Sequence, residues 1–475
     1  MFRAAFLPRT VAAFVAVWLA ACSLASDEQW FGLYLRGTKI GYATTRSFDG
    51  GWSGAPGRRL ESDNVIRSTV LGQSLELTVR STTWTDAKGA PVRLEFTSAS
   101  GGRTTRVVAK YGPDEIVATL DTGAGSQERR IPVPPGARLV EDATVAFLTG
   151  ERLPPGRVET FYVLDPVTLG LMRTTARLEA RQKVKVRGAD FTADVLVVQD
   201  ARATTRMFFS GKGDVIKVEG PLGIEMLPEP KEQARRLDAN PPDIALSTTI
   251  RPDEPIADAL ARPALNLRIT GVDLAALPSD AHQTVRRDGD GWRVSIHPID
   301  PERVGSAPIE EAAKGMPEWL KEDLFIPPAE TRIVALARET VGTETDAWRA
   351  ARAIHRRVHG LMTTNAGIGV LRDATEVLAT REGVCRDHAI LMAALLRAAN
   401  IPAKLVSGLV YADGQFFYHA WVEAWTGRQW AGLDSTRPGA RLSATHIKIG
   451  QGRIDQAFAF PVFDGAKLEV LDDDP

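Results

Sequence analysis

Cysteine is almost absent from this chain. Of 475 residues only Cys22 and Cys385 carry a thiol, which excludes the disulfide framework that staples many small exported domains. An excess of charge of one sign is also missing, with 58 Lys and Arg against 59 Asp and Glu. No basic run is present, so a nucleic-acid partner is not expected. Past residue 22 no apolar run is long enough to cross a bilayer. Neither an internal repeat nor a low-complexity tract appears. Metal-binding spacing is scarce too. His355 and His359 stand i, i+4 on an expected helix, but Arg356 sits where a zinc-protease helix needs Glu, and Arg357 adds a second cation between them. Solvent-facing histidines are the expectation there, with no metal and no cofactor. The acidic tail Asp472-Asp473-Asp474 is too isolated to hold calcium.

What is present centres on one run, Arg381-Glu382-Gly383-Val384-Cys385-Arg386-Asp387-His388-Ala389. Gly383 breaks the chain and an apolar stretch to Ala399 follows, so Cys385 is expected to open a helix. Free N–H groups and the positive end of the helix dipole favour a thiolate at that position. The helix is apolar on nearly every side and therefore buried. It ends at Asn400, and Pro402 prevents its continuation. Downstream, Phe416 to Trp425 is aromatic and β-branched and reads as a strand, Thr426 to Gln429 as a turn, and Trp430 to Thr436 as the returning strand. Folding about Gly427 and Arg428 pairs Trp425 with Trp430 and Trp421 with Asp434. His419 then shares a face with Trp421 and has Asp434 as its diagonal neighbour, roughly 7–8 Å away along the backbone. A carboxylate placed so orients an imidazole, which takes the proton of a thiol. Trp421, on the same face, is a candidate for lining a substrate cleft. His388, one helical turn after Cys385, is at most a substrate-facing or supporting residue. Glu423 is expected to be a structural hydrogen-bond partner.

Gly-x-Cys-x-x-x-Ala opening a helix, then Leu-Leu-Arg-Ala-Ala-Asn-Ile-Pro-Ala-Lys, His-Ala-Trp-Val-Glu and Leu-Asp-Ser-Thr, in that order, resemble the bacterial transglutaminase-like superfamily. The resemblance covers about the last third of the chain. It implies a papain-like core with a Cys-His-Asp triad, in which Cys385 is the nucleophile, His419 the base and Asp434 the orienting carboxylate. The implied activity is acyl transfer from a peptide or protein amide through a thioester, resolved by water or by an amine. The chain departs from the pattern at Asn400, where Gly is usual but the same left-handed geometry is open, and at Ser435, where Pro is usual. Ala379 stands where the papain pattern has an oxyanion-binding Gln, so the backbone N–H of Cys385 is the one oxyanion donor named. The alternative is a binding or assembly protein that keeps the fold without using the triad.

Residues 1–22 read as a targeting segment, with Arg3 and Arg9 ahead of an apolar run from Val11 to Ala21. Leu19-Ala20-Ala21-Cys22 resembles the bacterial lipobox, which implies cleavage before Cys22, lipidation of its thiol and an exported, membrane-anchored protein of the cell envelope, in the periplasm or at the outer membrane. The alternative is a soluble secreted or periplasmic protein cut after Ala25. An acylated Cys22 leaves Cys385 without a partner, and a free thiol in an oxidising compartment is a liability unless it is used.

Four further segments are expected. Residues 27–225 alternate in short β-branched runs punctuated by Gly-rich turns and form an all-β domain, as an antiparallel sheet, sandwich or half-barrel, with Ile131 to Gly136 a loop between its halves. Residues 226–263 carry many prolines and have linker composition. Residues 264–326 hold a small β connecting element. Residues 327–475 are an α+β domain, a central helix packed on an antiparallel sheet, with thiol and imidazole brought together only by the fold.

Overall fold

The computed structural model describes residues 28–471, except 124, 142–154, 239, 440 and 459–462. The targeting segment, its Cys22 and the acidic tail lie outside the described residues. The chain divides into two compact units, one running up to Ser247 and taking in Gly367–Leu371, the other comprising Thr248–Ala366 and Arg372–Pro475.

The first unit is built on one antiparallel sheet of fourteen strands among the described residues. Its strands alternate buried and exposed positions as period-2 patterning requires; Gly57–Val70 is an example. Several hairpins turn on two residues with positive φ, such as Arg36-Gly37 and Leu71-Gly72, the geometry whose twist matches that of the strands. Local alternation does not name a strand's partners. The first strand, Glu28–Leu35, pairs with the adjacent Thr38–Asp49 and also with Ile224–Pro228, nearly two hundred residues away. The two edges are Ser126–Pro132 and Val158–Asp165. From edge to edge the strands form one hydrogen-bonded series. Buried Glu229 holds its first and last strands together, accepting from Tyr34 Oη at 2.5 Å and Lys39 Nζ at 2.6 Å.

The proline-rich stretch 226–263 supplies the end of the last strand of that sheet, two single-turn helices at Lys231–Ala234 and Ile244–Ser247, and Ile250, which bridges to Phe416. In the second unit a four-stranded sheet joins Leu265–Thr270, Gly291–Ile296 and Gln283–Asp288 to Lys467–Leu471. A strand from near the end of the chain thus completes the small β element. The other sheet of this unit has the order Trp430–Leu433, Gln415–Trp425, Ala403–Ala412, Ile447–Gly452. Against it packs the helix Cys385–Ala398, buried from Cys385 to Arg397. Helices Thr331–Val341 and Ala347–Leu361 start on carboxylate caps, Glu330 and Asp346, which accept from free first-turn N–H groups. Asn400 takes φ +61° to end the central helix. No described helix is long and apolar enough to cross a membrane.

Candidate active site

Cys385 is the first residue of its helix and is 2 % exposed. The turn ahead of it is fixed by charge. Asp387 accepts from the Val384 N–H at 2.9 Å and pairs with Arg372, whose Nη2 donates to the Glu382 carbonyl at 2.5 Å. Arg372, Arg386 and Asp387 are all fully buried. Burial pushes the Asp387 carboxyl up, but Arg386 and Arg372 outweigh it and hold its pKa below the usual range. Gly383 has φ +152°, and a Cβ there would lie 2.6 Å from Asp387 and 2.7 Å from Arg372 Nη2. Only glycine lets the chain pass over this ion pair into the helix.

His419 arrives on the strand Gln415–Trp425. Its hairpin register pairs Trp425 with Trp430 and Val422 with Leu433, which carries Asp434 next to His419. His419 Nε2 lies 2.9 Å from Asp434 Oδ2, with both residues buried. Burial alone would lower the imidazole pKa. The charges of Asp434 and Cys385, and a hydrogen bond to each, reverse that effect and raise it to about 10. With Nε2 committed to Asp434, Nδ1 is left for the thiol. His419 therefore sits between a carboxylate and a sulfur, both of which favour its charged form.

Asp434 is held more thoroughly than the sequence indicated. Its Oδ1 accepts from the Thr436 N–H at 3.0 Å and from Thr436 Oγ1 at 2.6 Å. Its Oδ2 also faces Arg437 Nε and His446 Nε2, each at 3.4 Å. His446 Nδ1 accepts from the Ser443 N–H at 3.1 Å, so its proton is on Nε2 and points at the carboxylate. Burial lowers the His446 pKa to about 3 and keeps the ring neutral. The Asp434 carboxyl lies well below its ordinary range, since His419 and His446 outweigh the cost of burying it. His419, Asp434 and His446 offer ligand atoms within 4.8 Å of one another. The set suits hydrogen bonding better than a metal, because the His446 nitrogen facing Asp434 carries a proton and the Arg437 guanidinium adds a cation beside it.

Three expectations about nearby residues are corrected. His355 and His359 do not face solvent. His355 is fully buried with Nε2 3.0 Å from the Asp434 carbonyl, and half-buried His359 has Nδ1 3.0 Å from the Ser435 carbonyl. Their i, i+4 spacing aims both at one turn of backbone. His388 is 7 % exposed, with Nδ1 3.2 Å from the same Ser435 carbonyl, and burial lowers its pKa to about 4. It meets the turn that carries Asp434, the supporting one of its two expected places, and has little surface to offer a cleft. Trp421 is 1 % exposed, packs with Val406 and Leu442, and meets the His446 ring edge-on at 5.3 Å. It packs against the rings of His419 and His446 and offers almost no surface to a cleft. Gly408 makes room for it, since a Cβ there would lie 2.6 Å from its ring. Glu423, as expected, is structural and pairs with Lys404 and Lys448. Five of the chain's seven histidines thus touch Asp434 or Ser435. The signal for His355 and His359 was their spacing. His446 has none, because only the fold returns it to Asp434.

Over part of its length the chain is similar to known proteins. The model of the transglutaminase-like superfamily matches residues 334–435. An uncharacterized protein of Mycobacterium tuberculosis is 39 % identical over 92 residues, 16 % of this chain and 29 % of that protein. A protein-glutamine gamma-glutamyltransferase of Pseudomonas aeruginosa is 43 % identical over 93 residues, 17 % of this chain and 13 % of that one. The chain therefore spans well under half the length of these two relatives. A crystal structure from Cytophaga hutchinsonii, provisionally described as a cysteine protease, aligns with a TM-score of 0.33 and 19 % identity, over 46 % of this chain and 88 % of that one. Residues 334–435 are thus a transglutaminase-like domain.

Proposed function

We propose that the chain is a cysteine acyl-transfer enzyme of the cell envelope, acting on a peptide or protein amide through Cys385, His419 and Asp434. The observation that carries this reading is the buried 2.9 Å contact of His419 with Asp434 beside the helix that Cys385 opens. The Cys385 thiolate adds to the amide carbonyl carbon. As the carbon–nitrogen bond breaks, His419 gives its proton to the departing amine, leaving a thioester on sulfur. Neutral His419 then takes a proton from water or from an acceptor amine, which attacks the thioester and releases the thiolate. Asp434 holds the Nε2–H throughout, and the Cys385 N–H at the helix start is the donor proposed for the developing oxyanion.

Alkylation by iodoacetamide tests the ion pair directly. At pH 7 the thiol of the wild-type protein is expected to react about tenfold or more faster than that of His419→Ala. The two rates should converge above about pH 8.5, where an ordinary thiol ionises unaided. Equal rates at pH 7 would remove His419 as the partner of Cys385.

The envelope address rests on the first 22 residues. Acylation at Cys22 would anchor the protein, and Cys22→Ser is expected to move it from the membrane fraction to the soluble one. Unchanged fractionation of the variant would point to a plain secretory signal.

A further inference from the structure

A second site lies within the unit that holds the triad. A cavity of about 430 Å³ is bounded by Trp348, Trp425 and Trp430 and floored by Glu423, Lys404 and Asp280. Glu423 is on the strand of His419 and on the same face, four residues further on, which is roughly 13 Å. Trp421 and Leu442, packed on Val406, stand between. The cavity is therefore separate from the triad.

Its floor is a closed set of charges. Glu423 Oε2 lies 2.9 Å from Lys404 Nζ, and the other carboxylate oxygen meets Lys448 Nζ. Lys448 also meets Asp280, and Lys404 Nζ donates to Gln451 Oε1 at 2.8 Å. Two ammonium groups thus face two carboxylates, so the floor carries no excess charge to attract an ionic ligand, and recruiting one would break buried pairs. Donor and acceptor capacity is nevertheless left over. Lys404 gives two of its three N–H groups to these contacts, and the Glu423 carboxylate, with about four lone-pair sites, meets only two ammonium groups. The walls are flat and well fixed. The Trp425 and Trp430 centroids are 5.6 Å apart, Lys404 Nζ sits 4.3 Å from the Trp430 centroid, and Trp348 Nε1 donates to the Pro301 carbonyl at 2.8 Å.

A neutral ligand with apolar faces and a rim of hydroxyls that both give and accept hydrogen bonds fits these walls and this floor. We propose that the cavity is a carbohydrate-binding site, with pyranose C–H faces against the tryptophans and hydroxyls on Lys404, Glu423, Asp280 and Gln451. Its volume lies in the range of small-molecule sites. Indoles suit such a ligand because they give broad contact at little entropic cost. The site is independent of acyl transfer.

Titration of the full chain with N,N′-diacetylchitobiose, cellobiose and maltose, read by tryptophan fluorescence and by saturation-transfer NMR, tests the proposal. At least one disaccharide should bind saturably with a dissociation constant below ~10 mM. Trp430→Ala should weaken that binding about tenfold or more, and Trp430→Phe, which keeps a wall in place, should weaken it less. Cys385→Ala should bind as the wild type does, so failure of the acyl-transfer reading would leave this result standing. The proposal is overturned if none of the three sugars binds to the wild type, if Trp430→Ala binds undiminished, or if Trp430→Phe, where the alanine variant does not fold, loses all binding.

Discussion

Cys385→Ala is expected to fold normally and to lose acyl transfer by on the order of 10⁶-fold, the scale seen when a nucleophile is removed from an acyl-transfer triad. The fold should survive because the helix start does not depend on the sulfur. Asp387 accepts from the Val384 N–H, Arg372 holds the Glu382 carbonyl, and the helix is buried along its length. Removing one buried sulfur leaves a void too small to undo that packing, at a cost of about 1 kcal/mol. The variant should also report on His419. Part of what raises His419 to about 10 is the charge on Cys385 and a hydrogen bond to it. Without the sulfur, burial gains ground and the imidazole should titrate at lower pH. Histidine NMR against pH reads this shift without a substrate, so it can be measured before the amide is identified. Retained turnover would remove Cys385 as the nucleophile, and an unmoved His419 would mean that thiol and imidazole are not coupled.

The parts of the site that local chemistry dictates were legible in the sequence. A glycine before a cysteine and a long apolar run marked the buried helix. Asp413-Gly414 marked a two-residue hairpin, and both residues have positive φ. Counting from the turn at Gly427 gave a register that pairs Trp425 with Trp430, as the sheet does. Contacts between distant segments left no such trace. Nothing in Glu28–Leu35 names Ile224–Pro228 as a neighbour, and nothing in Lys467–Leu471 names Leu265–Thr270. The histidines show the same limit from the other side. A histidine on a polar-looking helix face reads as solvated until the fold places a carbonyl against it, as Asp434 and Ser435 are placed against His355 and His359. Trp421 was assigned to the correct face, but alternation along a strand cannot tell the floor of a cleft from the packing beneath it.

Asp434→Asn is expected to lower acyl transfer by on the order of 10³–10⁴-fold, the scale seen when a triad carboxylate becomes an amide. Asp434 here serves donors on both of its oxygens. Thr436 supplies two to Oδ1, while His419, His446 and Arg437 converge on Oδ2. An amide has one acceptor oxygen. Whichever way it is turned, its NH₂ group faces a set of donors, and the buried cations lose their counter-charge. The expected loss of stability is about 3 kcal/mol. The change should also appear against pH. His419 has a folded pKa raised above its unfolded value, so the stability it contributes is complete below about pH 6.5 and is lost as pH rises through about 10. Asp434 has a depressed folded value, so its contribution is present above about pH 3.9 and is lost as pH falls further. In Asp434→Asn both terms shrink together. The alkaline loss of stability should move from near pH 10 toward neutrality, and the acid loss should become shallower. Urea unfolding midpoints from about pH 2 to about pH 11 measure both limbs. A variant with wild-type turnover and an unchanged alkaline limb would take Asp434 out of the triad, whereas lost turnover with both limbs unchanged would confine its role to chemistry and leave the ion pair standing without it.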